Sequence, residues 1–288
     1  MPILFPIPRG AWDTHFHVFE SGTHTKAAPG AAYAPMDAPV GKLDAMHQRI
    51  GIANGLVVQS TAAAADNDAL IKLLAENPRL KGVARFTPDI DDREVARLHA
   101  AGVRGIRFSF ASFMKQPRVE RAVFDRAVAR VAPFGWHVKV HVEGPDLIEL
   151  ADWFRSLKLP LVIDHAAHLR PAAGLDQPAL KLLLELLQRE HCWVLMCNFD
   201  RWSTNGAPHH ADSLPMARRV LHAAPDRAIW GTDWPHPIYR NPHQPGEPPP
   251  NPVDLMNFLG EVVEGDSALL EKILVKNPGV LLGIKPRA

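Results

Sequence analysis

The stretch Trp12-Asp13-Thr14-His15-Phe16-His17-Val18-Phe19 carries two imidazoles two residues apart. It opens apolar and reads as a strand. Side chains alternate along a strand, so Asp13, His15 and His17 fall on one face. Two imidazoles about 7 Å apart at a strand end can grip one metal ion or jointly polarise one carbonyl. Taken alone the pair fits two core histidines equally well, and partners elsewhere decide. Short apolar runs close on His141-Val142-Glu143, on Asp164-His165, on Asn198-Phe199-Asp200-Arg201 and on Gly231-Thr232-Asp233. Neutral imidazole nitrogen and carboxylate oxygen, with one position left to water, are what a catalytic divalent ion needs.

Those runs alternate with helix-like segments. Strands are expected at Ala11–Val18, Gly55–Gln59, Gly82–Phe86, Val103–Phe108, His137–Val142, Leu161–His165, Cys192–Asn198 and Ala228–Gly231. Helical spacing covers Lys42–Ile50, Asp66–Asn77, Asp91–Ala101, Val119–Ala132, Pro145–Leu157, Pro178–Arg189, Ser213–Ala223 (with Asp212 as a cap), Pro252–Leu259 and Ser267–Val275. Eight strand–helix units in a row predict a parallel sheet closed into a (β/α)8 TIM barrel, one domain over residues 1–288. A doubly wound sheet would show a Gly-rich phosphate turn, and none follows any strand. In such a barrel the chemistry belongs at the C-terminal strand ends, where the quoted residues lie. The proline-rich stretch Pro235–Pro252 then reads as a loop over the barrel mouth.

Composition narrows the classes. Hydrophobic residues are 47% and charged residues 22% of 288, as in ordinary globular proteins. A formal charge of +1 gives no basic face for nucleic acid and no polybasic membrane anchor. The N-terminal residues Met1–Arg9 form no signal peptide, and no apolar run approaches a spanning length. Cys192 and Cys197 lie five apart, point to opposite faces of one strand and do not read as a disulfide; they suit a reducing, cytoplasmic compartment.

The Asp-Thr-His-Phe-His motif, Val162-Ile163-Asp164-His165 and Gly231-Thr232-Asp233-Trp234-Pro235-His236-Pro237 together resemble the amidohydrolase superfamily. The resemblance is to the branch containing 2-pyrone-4,6-dicarboxylate lactonase and related muconolactone and sugar-acid lactone hydrolases. Further matches are Tyr33-Ala34-Pro35-Met36-Asp37-Ala38, Val58-Gln59-Ser60-Thr61, Arg104-Gly105-Ile106-Arg107-Phe108 and Asn277-Pro278, so it covers nearly the whole chain. It implies a hydrolase of aromatic degradation acting on a small carboxylated lactone. His15, His17 and His165 would surround the lactone carbonyl, and Asp233 would activate water. Tyr33, Thr61, Arg107 and Arg201 would contact substrate; an arginine fork pairs both oxygens of a carboxylate.

Two departures from the lactonase pattern matter. His141 stands where the lactonase has tyrosine, which points to a divalent metal held by His15, His17, His141 and Asp233. Zinc suits those ligands, manganese is the second choice, and metal-free polarisation by the imidazoles is the alternative. Phe113 and Lys115 stand where the lactonase has a second arginine, with Lys115 able to substitute as a point charge. No lysine ends the fourth strand to bridge two metals, so a single ion and not a two-metal site is expected. Lys139 shares the face of His141 but lies deeper. His137 and His191, at strand starts, read as structural, and His168, His209, His210, His236 and His243 as loop histidines, mostly exposed. Rival activities are metal-dependent non-oxidative decarboxylation and lactone isomerisation; a binding protein without turnover is the rival from outside enzymes.

Overall fold

The computed structural model describes residues 2–20, 31, 33, 35–62, 67–88, 90–114, 117–237 and 248–284. Eight strands follow one another around a single parallel sheet: β1 (Trp12–Phe16), β2 (Asn54–Val58), β3 (Leu80–Arg85), β4 (Val103–Ser109), β5 (His137–His141), β6 (Leu161–Ile163), β7 (Cys192–Met196) and β8 (Ala228–Trp230). Between them run α1 (Val40–Arg49), α2 (Asn67–Glu76), α3 (Asp92–Ala101), α4 (Arg121–Val131), α5 (Gly144–Glu149), α6 (Ala151–Ser156), α7 (Pro178–Leu186) and α8 (Leu214–Ala223). After β8 come α9 (Pro252–Val262), α10 (Ser267–Glu271) and α11 (Asn277–Leu281). This is the expected (β/α)8 barrel.

Alternation divides each strand between two cores. On β7, Cys192, Val194 and Met196 pack against the helices, while Trp193, Leu195 and, just past the strand, Cys197 join Val162 and Ile229 inside the barrel. The two cysteines are free and face opposite ways, as expected. The chain end seals the strand starts. Leu281 packs on the interior cluster and Leu282 on Trp12, Leu56, Val58 and Val83, while Asn277 Nδ2 donates to the carbonyls of Pro225 and Ala228.

The barrel closes at the site end. The Asp233 amide donates to the His15 carbonyl at 2.8 Å, and the His17 amide donates to the Trp234 carbonyl at 2.8 Å. Lower down, Thr14 Oγ1 donates to the Trp230 carbonyl at 2.7 Å. Asp13 makes the clasp stronger by accepting from the Thr232 amide and hydroxyl and from His47 Nε2 on α1. Asp13 therefore does not share the face of His15 and His17. Between the pairs Asp13–Gly55 and Phe16–Val57, β1 advances three residues while β2 advances two. That bulge resets the alternation, turning Asp13 outward and both histidines inward.

Other boundaries move for physical reasons. β6 ends at Ile163 because His165, Ala166, Ala167 and His168 all take positive φ, between 45° and 56°. The segment expected as one helix over 145–157 breaks at Leu150, where φ −96° and ψ 8° separate α5 from α6. Asp212 does not cap α8; its carboxylate accepts from Ser203 and Thr204 instead. The helix expected at 267–275 stops at Glu271 and continues as a wider turn through Lys276. Among the described residues no helix is long and apolar enough to cross a membrane.

Candidate active site

The C-terminal strand ends open into a cleft lined by His17, Tyr33, Thr61, Arg107, Phe113, Met114, His141, His165, His168, Arg201, Asp233 and Pro237. Most of the residues singled out in the sequence meet here. Lys115 and His243 lie outside the described residues.

β1 supplies His15 and His17. His17 Nδ1 donates to the Val58 carbonyl at 2.8 Å, which fixes the tautomer and leaves Nε2 as a bare lone pair. Burial, reinforced by the Arg107 charge, pushes the His17 imidazole down to about 3, so it is neutral. His15 is fully buried and neither ring nitrogen has a hydrogen-bond partner among the described residues. Its Nδ1 faces Asp164 Oδ1 at 3.6 Å, which favours the proton on Nδ1, and its Nε2 faces Asp233 Oδ1 at 3.6 Å. His17 Nε2 stands 3.7 Å from the same oxygen.

Asp233 reaches this point from a left-handed residue, φ 59°, just past β8. Its other oxygen accepts from Asn198 Nδ2 at 3.0 Å and from Arg201 Nη2 at 3.4 Å. These two donors aim Oδ1 at the histidines. Burial raises the Asp233 carboxyl above its ordinary value, opposed by the Arg201 charge and the Asn198 bond. The close approach of β8 to β1 depends on Gly231, where a Cβ would stand 2.7 Å from the His15 amide nitrogen.

Under the site lies a buried charge cluster. Arg107 Nε donates to Asp164 Oδ2 at 2.8 Å, and Lys139 Nζ stands 3.4 Å from Asp164 Oδ1 while donating to the Thr14 carbonyl. Burial alone would raise the Asp164 carboxyl, yet the Lys139 and Arg107 charges hold it well below its ordinary range. Lys139 is depressed, by burial first. Arg107 thus has a fixed partner on one side while it lines the cavity on the other.

β5 and the turn after β6 build a second group. His141 Nδ1 lies 3.3 Å from Ser109 Oγ, and its Nε2 lies 3.0 Å from His168 Nε2. His165 Nδ1 contacts Cys197 Sγ at 3.2 Å, a thiol that burial holds protonated. All three imidazoles are depressed well below their ordinary value by burial, and all three are neutral. The donors fall into overlapping groups. His15, His17 and Asp233 have ligand atoms within 4.8 Å of one another, as do His141, His165 and His168, and His15, Asp164 and His165 form a third that joins the other two. His141 groups with the second set, apart from the first-named three.

Tyr33 Oη and Ser60 Oγ share a hydrogen bond of 2.6 Å at the rim, beside Thr61. Burial raises the Tyr33 phenol. Arg201 also donates to the Pro237 carbonyl. Trp202 and Trp234 do not line the cavity; Trp202 lies under the Arg170 guanidinium. Glu143 sits at the N-cap of α5 and pairs with Arg170. His137 is buried against Gly105, and His191 bonds the Phe154 carbonyl.

Of the loop histidines, only His209 is exposed among those described, where it pairs with Glu261. His168, His210 and His236 are buried, contrary to expectation. His168 escaped sequence reading because an ordinary connection would carry it away from His165. Four left-handed residues wind it back, so the two rings lie 4.9 Å apart. The roles of Asn198 and Asp164 were equally hidden, although both are quoted strand-end residues.

Three comparisons bear on this geometry. The Amidohydrolase family model matches residues 12–284. A 2-pyrone-4,6-dicarboxylate hydrolase of Comamonas testosteroni is 35% identical over 95% of this chain and 90% of its own length. A 4-sulfomuconolactone hydrolase of Rhizobium radiobacter is 34% identical over 98% of this chain and 93% of its own. A solved apo structure from Agrobacterium tumefaciens, 24% identical, superposes with a TM-score of 0.82 over 100% of both chains and shares the fold.

Proposed function

The chain belongs to the amidohydrolase family, and from that premise we propose that it hydrolyses the ring ester of a small carboxylated lactone, of the 2-pyrone-4,6-dicarboxylate or muconolactone kind. One observation carries the reading. His15 Nε2, His17 Nε2 and Asp233 Oδ1 converge at 3.6 and 3.7 Å with no donor among the described residues between them. Three electron-rich atoms face one another there, too far apart to hydrogen-bond and spaced as ligands around one cation are. The donor set of two imidazoles and a carboxylate fits a divalent ion, zinc first and manganese second. When bound, such an ion supplies Lewis acidity toward the carbonyl oxygen and acidifies a water.

The protein's own groups do the rest. The charges of Arg107 and Arg201, with the hydroxyls of Tyr33 and Thr61, hold the substrate carboxylate away from the reacting carbon and fix its orientation. Lys115, which lies outside the described residues, would add a point charge in place of a second arginine. Asp233 Oδ1 takes a proton from water as the water oxygen bonds to the carbonyl carbon. The ring C–O bond then breaks, and its oxygen takes that proton back from Asp233. His165, its ring 4.7 Å from that of His15, borders the carbonyl beside it. The product is the ring-opened hydroxy acid. Residues 1–288 act as one domain in this reading. The buried free thiols support a cytoplasmic setting, and the substrate class supports a place in aromatic degradation.

The test is chromatography of 2-pyrone-4,6-dicarboxylate and muconolactone incubated with the purified protein. Ring-opened acid is expected, with kcat falling about 10²–10⁴-fold in Asp233→Asn while circular dichroism is unchanged. No ring opening of any carboxylated lactone would overturn the proposal.

A further inference from the structure

Of the five large apolar side chains exposed among the described residues, Leu4, Met36, Phe113, Ile148 and Val280, only Phe113 lines the cleft. We propose that Phe113, with Met114 beside it, is the specificity wall of the site: it receives an uncharged edge of the substrate ring, so the preferred lactone carries one carboxylate and no second. The inference rests on the proposed function and decides between the two kinds of lactone named there. 2-Pyrone-4,6-dicarboxylate has two carboxylates and muconolactone has one.

The charges around the cleft support a single carboxylate subsite. Among the described residues, the cations that line it are Arg107 and Arg201, and each already faces an acid. Arg107 Nε meets Asp164 Oδ2 at 2.8 Å, and Arg201 Nη2 meets Asp233 Oδ2 at 3.4 Å. Around Phe113 the wall is neutral. Its ring centroid lies 5.4 Å from that of His141 and 5.8 Å from that of His168, with the planes crossed at 83° and 88°. Burial keeps both imidazoles uncharged. Arg170, whose charge reaches His168, does not line the cleft; it lies over Trp202 and faces Glu143. A carboxylate pressed against this wall would lose its water and gain no counter-charge among the described residues. A flat ring edge would gain apolar contact there.

The loop after β4 holds the phenyl in place. Ser112–Met114 form one tight helical turn, closed by the Met114 amide on the Ala111 carbonyl at 3.0 Å. Asp146, buried in the first turn of α5, clamps that turn. Ser112 Oγ donates to Asp146 Oδ1 at 2.6 Å, and the Ser112 amide donates to Oδ2 at 3.3 Å. Further along the loop, Arg118 Nη2 donates to the same Oδ1 at 2.7 Å. The Met114 side chain is buried, while Phe113 stays 36% exposed. Fixed in this way, the ring can meet a substrate with little loss of freedom on binding.

Lys115 lies outside the described residues, and a charge brought by it to the substrate predicts the opposite preference. Calorimetric binding of benzoate and of benzene-1,3-dicarboxylate separates the two without turnover, since both are flat ring acids with no ester to cleave. The wild type should bind the monoacid at least about tenfold more tightly, because a second carboxylate would be desolvated without a partner. Phe113→Arg should reverse that preference and Phe113→Leu should keep it, with circular dichroism unchanged in both. In parallel, kcat/KM for muconolactone should exceed that for 2-pyrone-4,6-dicarboxylate in the wild type, and the order should reverse in Phe113→Arg. Equal or tighter binding of the dicarboxylate by the wild type would overturn the proposal. So would a wild type that binds neither acid, or a preference that Phe113→Arg leaves unchanged. A protein that opens lactones but prefers the dicarboxylate leaves the proposed function standing and refutes the wall. One that opens no lactone yet selects the monoacid through Phe113 does the reverse.

Discussion

Asp164 stands between three groups that would otherwise be costly to bury. Its oxygens face Arg107 at 2.8 Å, Lys139 at 3.4 Å and His15 at 3.6 Å, and none of these residues is more than slightly exposed. Removing the one anion leaves a buried ammonium and guanidinium without a counter-charge, which typically costs about 3–5 kcal/mol. Asp164→Asn should therefore lower the unfolding free energy from urea titration by that much, and Lys139→Met in the same chain should recover part of it. An unchanged unfolding free energy would mean that the cluster is solvated. The sequence showed Asp164 as a strand-end acid and Arg107 as a carboxylate fork. It did not show that the two would meet, because a distance between strands four and six depends on barrel register. Asp233 and its histidines were legible earlier because residue type, spacing and strand end all agreed. Their ordering by Asn198 and Arg201 was not, since both donors arrive from an irregular loop after β7.

At the scale of elements, strand identity was readable throughout: apolar runs bounded by helical spacing placed all eight strands to within a few residues. What the pattern hid was irregularity. The β1 bulge moves Asp13 off the site face, and the left-handed turn after β6 moves His168 onto it. Neither has a compositional signal, because Ala166 and Ala167 are not residues that announce positive φ. Gly231 does announce itself. A methyl there would meet the His15 backbone at 2.7 Å and its Cβ at 2.8 Å. Gly231→Ala should push β8 away from β1, costing about 1–3 kcal/mol and lowering kcat more than the loss of folded protein explains. Activity that tracks folded fraction alone would show that the strand contact does not position His15.

At the scale of the whole molecule, an interior carrying several neutral imidazoles ties stability to pH. His137 at the start of β5 is the clearest case, pushed down to about 3 by burial, with the Lys139 charge adding to it and Asp164 opposing. The unfolded chain takes up a proton at His137 below about 6.5, and the folded chain does so only near 3. Its contribution is thus intact above pH 6.5 and lost as pH falls, by about 1.4 kcal/mol per pH unit. Urea titrations between pH 6.5 and 4.5 should give a slope smaller by about that amount in His137→Leu; parallel slopes would contradict the assignment of a neutral buried ring.

The central claim is that water, activated at Asp233, opens a lactone ring. It is tested most directly by mass spectrometry of the product formed from a carboxylated lactone in oxygen-18 water. Hydrolysis predicts one heavy oxygen in the new carboxyl group of a ring-opened acid, formed by the wild type and not by Asp233→Asn. A rearranged lactone without heavy oxygen, or a product shortened by carbon dioxide, would contradict it.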